Sequence, residues 1–192
     1  MIDLSPARRE LEWAKNCLER MKTSSSLEEI EEAWSSYLSC IEKTFSRADL
    51  AMNSHKKYKG FISRYNHKRK KDALLSYLKH ARNSDHHGLS VTTQQLSPGV
   101  GIGPADNSGT MSGHFSSDMY GHFSFKSKTP VTVTFYPARV EVLPCKDRNK
   151  NIHTPPNTHL HKPIGSRNPI VLAELGISFY EQMLISAETF FA

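Results

Sequence analysis

One short segment near the middle of the chain combines an arginine and two histidines at a spacing suited to acid–base chemistry on a phosphate. Arg82 and His86 are four residues apart, and so are Asn83 and His87, so a helix would place each pair on one face. The negative end of a helix dipole favours imidazolium, which suits a histidine that must exchange a proton. An arginine can grip a phosphate through two parallel hydrogen bonds. A structural interpretation stands beside this one, because histidine is a favourable residue at any helix C-terminus.

The motif lies at the end of a predicted helix from about Lys70 to His87. Leu74, Leu78 and Ala81 form its apolar face, and Gly88 stands where a left-handed stop residue belongs. Either His86 or His87 could be the imidazole that acts beside Arg82. A regular helix pairs Arg82 with His86 and turns His87 roughly 140° away.

Three further helices are predicted from apolar periodicity and capping residues. The first runs from Ser5, as its cap, to about Met21, and the second from Ser26 to about Met52. Ser26 and Glu29 have the spacing of a capping box. The last helix starts with Asn168 as cap and Pro169 in its first turn, and runs almost to the C-terminus.

The residues between the third and the last helix have loop and strand chemistry. Residues 89–112 are predicted to be a loop, and within it Gly99–Gly103 is a flexible segment without the Lys-Ser/Thr ending of a nucleotide loop. Residues 113–144 alternate as strands do, and residues 145–167 return to a proline-rich loop.

The fold class is therefore predicted to be α+β, with a four-helix bundle and a small β-rich insertion before the last helix. The domains are predicted as residues 1–90 for the first three helices, 91–167 for the insertion, and 168–192 for the helix that completes the bundle. The apolar stripes predict that this last helix packs back onto the first three.

A run of cations without any acidic residue occupies residues 55–71, directly before the helix with the motif. Such a run, interleaved with Tyr58, Phe61 and Tyr65, could hold a phosphate backbone and stack unpaired bases, or it could be an ordinary solvated surface. The candidate RNA-binding residues are Lys57, Lys59, Arg64, Lys68, Arg69 and Lys70.

Composition restricts the setting in which the chain works. The net charge of +6 favours polyanionic partners, and Cys17, Cys40 and Cys145 form neither a zinc motif nor a disulfide framework. No secretory signal is visible, and the apolar stretch Ile170–Tyr180 is too short to cross a bilayer. We expect a cytoplasmic protein with no membrane partner and no cofactor. His159 and His161 could share a metal on an extended chain, but no carboxylate is near them in sequence, so no metal is predicted.

The segment Arg82-Asn83-Ser84-Asp85-His86-His87 resembles the Arg-x(4–6)-His motif of the HEPN superfamily, in which Asn commonly follows the Arg. The order of elements is similar as well, with three helices, the motif and a closing helix. The resemblance covers roughly residues 5–90 and 168–191.

The resemblance implies a dimeric helical bundle and a metal-independent endoribonuclease of the toxin or phage-defence kind. By this analogy His87 is the acid/base group, Arg82 stabilises the phosphorane, Asn83 orients the site and His86 supports it. The implied partners are RNA such as tRNA, a second copy of the chain, and an antitoxin or effector protein. The alternative is a non-catalytic module that binds nucleic acid or protein, since the fold alone does not confer activity.

Overall fold

The computed structural model describes residues 2–105 and 111–192, and it divides the chain into two compact units. The first unit comprises residues 1–95 and 140–192 and contains all the helices in the described ranges. The second unit comprises residues 96–139. Helices and short antiparallel strands together give a mixed α+β protein.

The first unit contains five helices where the sequence predicted four. They are α1 (Ser5–Thr23), α2 (Leu27–Met52), α3 (Tyr58–Lys71), α4 (Ala73–His86) and α5 (Pro169–Phe191). The extra helix is α3, formed by the basic segment. Its Phe61, Ile62 and Tyr65 are buried, so packing outweighs the cost of Gly60, which lies in the first turn.

The helix boundaries follow the predicted caps closely, with two exceptions. Ser26 accepts a hydrogen bond from the Glu29 amide (3.4 Å), and Asn168 accepts one from the Ile170 amide (2.9 Å), as predicted. Ser5, however, is already helical, and its amide donates to Asp3 Oδ1 (2.9 Å). The third predicted helix starts at Ala73 instead of Lys70, because Asp72 has an extended backbone and caps the amide of Leu75 (3.0 Å).

Helices α1 and α5 run antiparallel and are joined along their edge by three ion pairs. Arg8, Lys15 and Lys22 are spaced seven residues apart along α1. Their partners on α5 have the same spacing in the reverse order. The partners are Glu188 (2.6 Å), Glu181 (2.8 Å) and Glu174 (2.9 Å). Helix α5 also contacts α2, α3 and α4, which confirms that it packs back onto the earlier helices.

Helix α5 is 23 residues long, so the expectation that the apolar C-terminal stretch is too short to cross a bilayer was wrong. Among the described residues it is the one helix whose length and composition would allow a membrane span. Half of its apolar window is buried inside the protein, and buried residues such as Leu172 and Met183 face the other helices. One face of α5 is thus buried against the other helices, as in an amphipathic helix.

Short strands complete the first unit. Strand β1 (Thr93–Leu96) pairs with β6 (Arg139–Val142), and β7 (Cys145–Lys146) forms a hairpin with β8 (Ile152–His153). A last small hairpin joins β9 (Thr158–His159) to β10 (Lys162–Pro163). The predicted loop at 145–167 thus contains two hairpins.

The described part of the second unit consists of two two-stranded antiparallel sheets. Strand β2 (Gly99–Pro104) pairs with β5 (Val131–Tyr136), and β3 (Gly113–Ser117) pairs with β4 (Phe123–Ser127). Of these two sheets, only the β3–β4 sheet is a hairpin of consecutive strands. The prediction of a loop at Gly99–Gly103 was wrong, because Val100 and Ile102 lie opposite Phe135 and Val133 in a regular ladder. The rest of the predicted 89–112 loop includes residues 106–110, which lie outside the described residues.

Candidate functional site

The helix that carries the motif ends in a defined stop. The amide of Gly88 donates to the carbonyl of Asp85 (3.1 Å), and the amide of Leu89 donates to that of Ser84 (2.9 Å). Gly88 has φ +60°, as predicted for a left-handed stop residue. This pair of hydrogen bonds is a Schellman motif, which satisfies the last carbonyls of the helix. The end of α4 is therefore a fixed platform for the motif side chains.

The four motif residues lie together at this end of α4. Arg82 and Asn83 are half-buried, whereas His86 and His87 are exposed. Arg82 Nη1 donates to Asn83 Oδ1 (3.2 Å), and Arg82 Nε is buried without a hydrogen-bond partner among the described residues. The rings of His86 and His87 stand at 88° with their centroids 5.0 Å apart. The helix stays regular to His86, and His87 is its cap residue.

A residue that sequence reasoning missed completes this cluster. Arg148 lies in the turn between β7 and β8, and its Nη2 is 2.8 Å from His87 Nε2. Because a guanidinium has only donors, Nε2 must accept, so the proton of the neutral imidazole is on Nδ1. The two residues are 61 positions apart in sequence, and no local pattern in an Asp-Arg-Asn-Lys turn indicates the contact.

The surroundings of His87 favour its neutral form. Loss of water around the ring and the neighbouring charges of Arg148, His86 and Arg82 lower the pKa of His87 from its ordinary value. The imidazole is therefore mostly uncharged at neutral pH and can accept a proton, which is the state a general base requires.

Asp85 faces away from this cluster. The hydroxyl of Ser35 on α2 donates to Asp85 Oδ2 (2.5 Å), and the cleft on that side also contains Glu31 and Glu32. A phosphate would be repelled by three carboxylates there. A polyanion would therefore approach the end of α4 from the side of Arg148.

The predicted RNA-binding residues divide into an exposed group and two that are held by the protein. Lys59, Arg64 and Lys70 are exposed on α3, and Lys57 is exposed directly before it. Lys68 is half-buried, with Nζ over the rings of Tyr65 (5.5 Å) and Phe179 (6.0 Å).

Arg69 is unavailable to RNA, which corrects the prediction. Its side chain is buried against the ring of Phe45, pairs with Glu42, and donates to the Tyr180 hydroxyl (3.0 Å). No helix was predicted for this segment, so the sequence did not indicate that the helical period turns the Arg69 side chain toward the core.

The aromatic side chains of the basic segment could have stacked bases, but the structure places them elsewhere. Phe61 and Tyr65 are buried in the core, and the Tyr58 hydroxyl donates to Asp49 (2.6 Å). Helix α3 therefore offers charge to a polyanion and no free aromatic platform of its own.

The alternative metal pair His159 and His161 is not formed. Leu160 and His161 have positive φ values of 47° and 66°, so the chain is not extended here. His159 is buried, with Nδ1 2.9 Å from Asp72 Oδ1, while His161 is exposed. Two other histidines, His80 and His153, do come together, with their rings stacked.

Comparison of the chain with protein-family models, with curated proteins and with solved structures finds no match. Its function is therefore inferred from its own residues and geometry.

Proposed function

We propose that this protein is a cytoplasmic, metal-independent endoribonuclease of the HEPN kind, acting in a toxin–antitoxin or phage-defence setting. One observation carries the proposal. Two guanidinium groups, Arg82 and Arg148, and two exposed imidazoles, His86 and His87, meet at the fixed end of α4. This set contains the donors and the proton acceptors that cleavage at a phosphate needs.

The proposed reaction uses the ribose of the substrate as nucleophile. His87 Nε2 takes the proton of the 2′-hydroxyl, and the 2′-oxygen attacks the adjacent phosphorus. The bond from phosphorus to the 5′-oxygen breaks, and a second imidazole, that of His86 or of a second copy's motif, protonates the leaving oxygen. The products are a 2′,3′-cyclic phosphate and a 5′-hydroxyl.

The arginines would stabilise the charge that develops on the phosphorane. Arg148 occupies His87 Nε2 in the free protein, so it must release this nitrogen before the imidazole can act as base. A phosphate oxygen is a stronger acceptor for a guanidinium than a neutral imidazole is, so the substrate itself would draw Arg148 away. Asn83 holds Arg82 by its side-chain hydrogen bond.

The exposed cations of α3 would bind the substrate at a distance from the reacting phosphate. Helix α4 separates the end of α3 from the motif and has 14 residues, a length of about 21 Å. An RNA that reaches both must be several nucleotides long or folded, as tRNA is.

Purified protein, with chelator present, should be incubated with a tRNA pool and total RNA beside single variants. We expect cleavage with cyclic-phosphate ends, reduced roughly 10²–10⁴-fold in His87→Ala, the range for loss of a general base. Arg82→Ala and Arg148→Ala should also be impaired, and the ratio of His86→Ala to His87→Ala identifies the working histidine. His161→Ala, an exposed histidine outside both the motif and α3, is the matched control. Cleavage that survives both Arg82→Ala and His87→Ala would refute the site.

A second candidate function is a non-catalytic binding module, which the salt dependence of RNA binding separates from the first. The second unit exposes large apolar side chains on its strands and turns, including Phe115, Tyr120, Phe123 and Phe135, a surface typical of protein interaction. RNA binding that weakens steeply with salt but produces no cleavage would favour the module. The homodimer implied by the enzyme hypothesis is tested by measuring the molar mass in solution.

A further inference from the structure

The β7–β8 hairpin lies along α4 and is fixed to it at several points. The Tyr77 hydroxyl on α4 donates to the Leu143 carbonyl (2.7 Å) just before the hairpin, and Cys145 is fully buried. At the end of the helix, Ser90 Oγ accepts from the Lys146 amide (3.2 Å). The side chains of the hairpin turn are thereby brought against the exposed side of α4.

Three metal-ligating side chains converge between this hairpin and the helix. His80 comes from α4, Asp147 from the turn after β7, and His153 from β8. One donor atom from each lies within 4.8 Å of those of the other two, and all three residues are half-buried. The imidazoles of His80 and His153 are stacked, with centroids 3.5 Å apart at an angle of 8°.

The carboxylate of Asp147 is held by the hairpin itself. Its Oδ1 accepts from the amides of Asn149 and Asn151 (both 2.9 Å), and its Oδ2 accepts from Asn151 Nδ2 (2.9 Å). Oδ2 also lies 3.3 Å from His153 Nε2. Hydrogen bonds of this kind around a carboxylate are what orient a metal ligand.

The His80 ring, in contrast, has no hydrogen bond within the described part of the chain. It is half-buried and has a ring nitrogen that neither the helix nor the hairpin satisfies. An imidazole nitrogen that no protein group occupies is free to coordinate an ion.

We propose that His80, Asp147 and His153 form a binding site for a divalent transition-metal ion, with zinc as the first candidate. Two imidazoles and one carboxylate are the donor set of three-ligand zinc sites and of facial-triad iron sites, whereas Mg²⁺ and Ca²⁺ prefer oxygen donors alone. Bonds of about 2.0–2.2 Å bring donor atoms to roughly 3–4 Å from one another. The donor atoms, now within 4.8 Å of one another, would reach these distances if the two rings rotated out of their stack.

The site has a consequence for the neighbouring arginine. Arg148 directly follows Asp147 in the hairpin turn, and its guanidinium contacts His87. A bound ion would join α4 to the hairpin at His80 and so restrict the turn that carries Arg148. The ion does no bond chemistry in this proposal, and it stands whether or not the chain cleaves RNA.

The test is direct metal binding by the untagged full chain, since a histidine tag would bind the same ions. Zn²⁺ is titrated by calorimetry, and Co²⁺ by its visible absorption, which distinguishes nitrogen and oxygen donors from thiolates. The variants are His80→Gln, Asp147→Asn and His153→Gln. His67→Gln is the matched control, because this histidine is exposed on α3. The helical circular dichroism signal of each variant verifies that it is folded.

We expect one ion per chain and an affinity that falls by roughly 100-fold or more in each ligand variant, since loss of even an outer partner costs 10–100-fold. His67→Gln should bind as the natural chain does, Mg²⁺ should not bind, and Zn²⁺ should raise the unfolding temperature of the natural chain but not of His153→Gln. Absence of stoichiometric binding by the folded natural chain would overturn the proposal. So would binding that all three ligand variants retain, or a thiolate-to-cobalt band that assigns the ion to cysteines.

Discussion

Substitution of Gly176 by alanine tests how closely α5 packs on α2. Gly176 is buried in the middle of α5, and a Cβ at this position would lie well inside van der Waals contact with the Tyr37 hydroxyl oxygen. It would also lie 3.0 Å from Leu78 Cδ1. Tyr37 is fully buried and donates to the Ala173 carbonyl (3.4 Å), so it has no free space to enter.

The expected magnitude follows from three opposing effects. Overpacking a buried site costs about 1–3 kcal/mol, and displacing the Tyr37 hydroxyl from its carbonyl costs about 0.5–1.5 kcal/mol. Alanine gains about 1 kcal/mol over glycine in a helix interior. We therefore expect Gly176→Ala to lower the free energy of unfolding by about 1–3 kcal/mol.

Chemical denaturation followed by the helical circular dichroism signal measures this change. Gly60→Ala is the matched control, because Gly60 is also helical but a Cβ there meets nothing within 4 Å. It should stabilise the protein by about 0.5–1 kcal/mol. In a Tyr37→Phe background the hydroxyl is absent and the nearest ring carbon, Cζ, lies 3.6 Å from the added Cβ.

The cost of Gly176→Ala should then shrink by about 1 kcal/mol or more, a coupling typical of residues in contact. If Gly176→Ala stabilises the protein as Gly60→Ala does, the close approach of α5 to Tyr37 is wrong.

Three further predictions concern buried charges and the motif. Arg69→Met should lower the free energy of unfolding by about 3 kcal/mol, because Glu42 would lose its partner next to a buried site; a denaturation curve equal to that of Lys70→Met, an exposed neighbour, would contradict this. Burial raises the pKa of Asp72, but hydrogen bonds from the amides of Leu160 and Leu75 and from His159 outweigh it and hold the pKa below its ordinary value. A carboxyl whose pKa is lower in the folded state stabilises the fold above its unfolded pKa and loses this contribution as the pH falls through the folded pKa. Between about pH 5 and 2, the natural chain should therefore lose more stability than Asp72→Asn does, and parallel stability curves would refute the role of the ionised cap. Finally, Arg148→Ala should raise the pKa of His87, measured by the NMR titration of its ring protons, because a neighbouring positive charge is removed; an unchanged titration would show that the two side chains do not meet in solution.

Several helix limits could be predicted because their signals are local. Ser26 and Asn168 cap α2 and α5 through amides two or three residues ahead, and Gly88 stops α4 by its own backbone conformation. Such contacts involve residues near in sequence, so residue type and spacing suffice to predict them. The strands β5 and β6 were indicated in the same way by alternation of apolar and polar residues.

The elements that sequence reasoning missed depend on partners far along the chain. Strand β2 is rich in glycine and has strand character only because β5 supplies its hydrogen bonds. Helix α3 contains Gly60 and many like charges, which disfavour a helix in isolation, but the core buries one of its faces. Long-range burial decided both cases, as it commonly does for weak local preferences.

The sequence alone was enough to predict that the Arg82–His87 segment lies at the end of a helix and which residues end that helix. Tertiary structure alone decided which cations face solvent, since the rotation of α3 against the core turns Arg69 inward to Glu42 and leaves Arg64 exposed. It also brought Arg148 to His87 and placed His153 and Asp147 beside His80, across separations of more than sixty residues. These contacts depend on how the β7–β8 hairpin packs along α4, and packing between distant segments leaves no periodic signal in a single sequence.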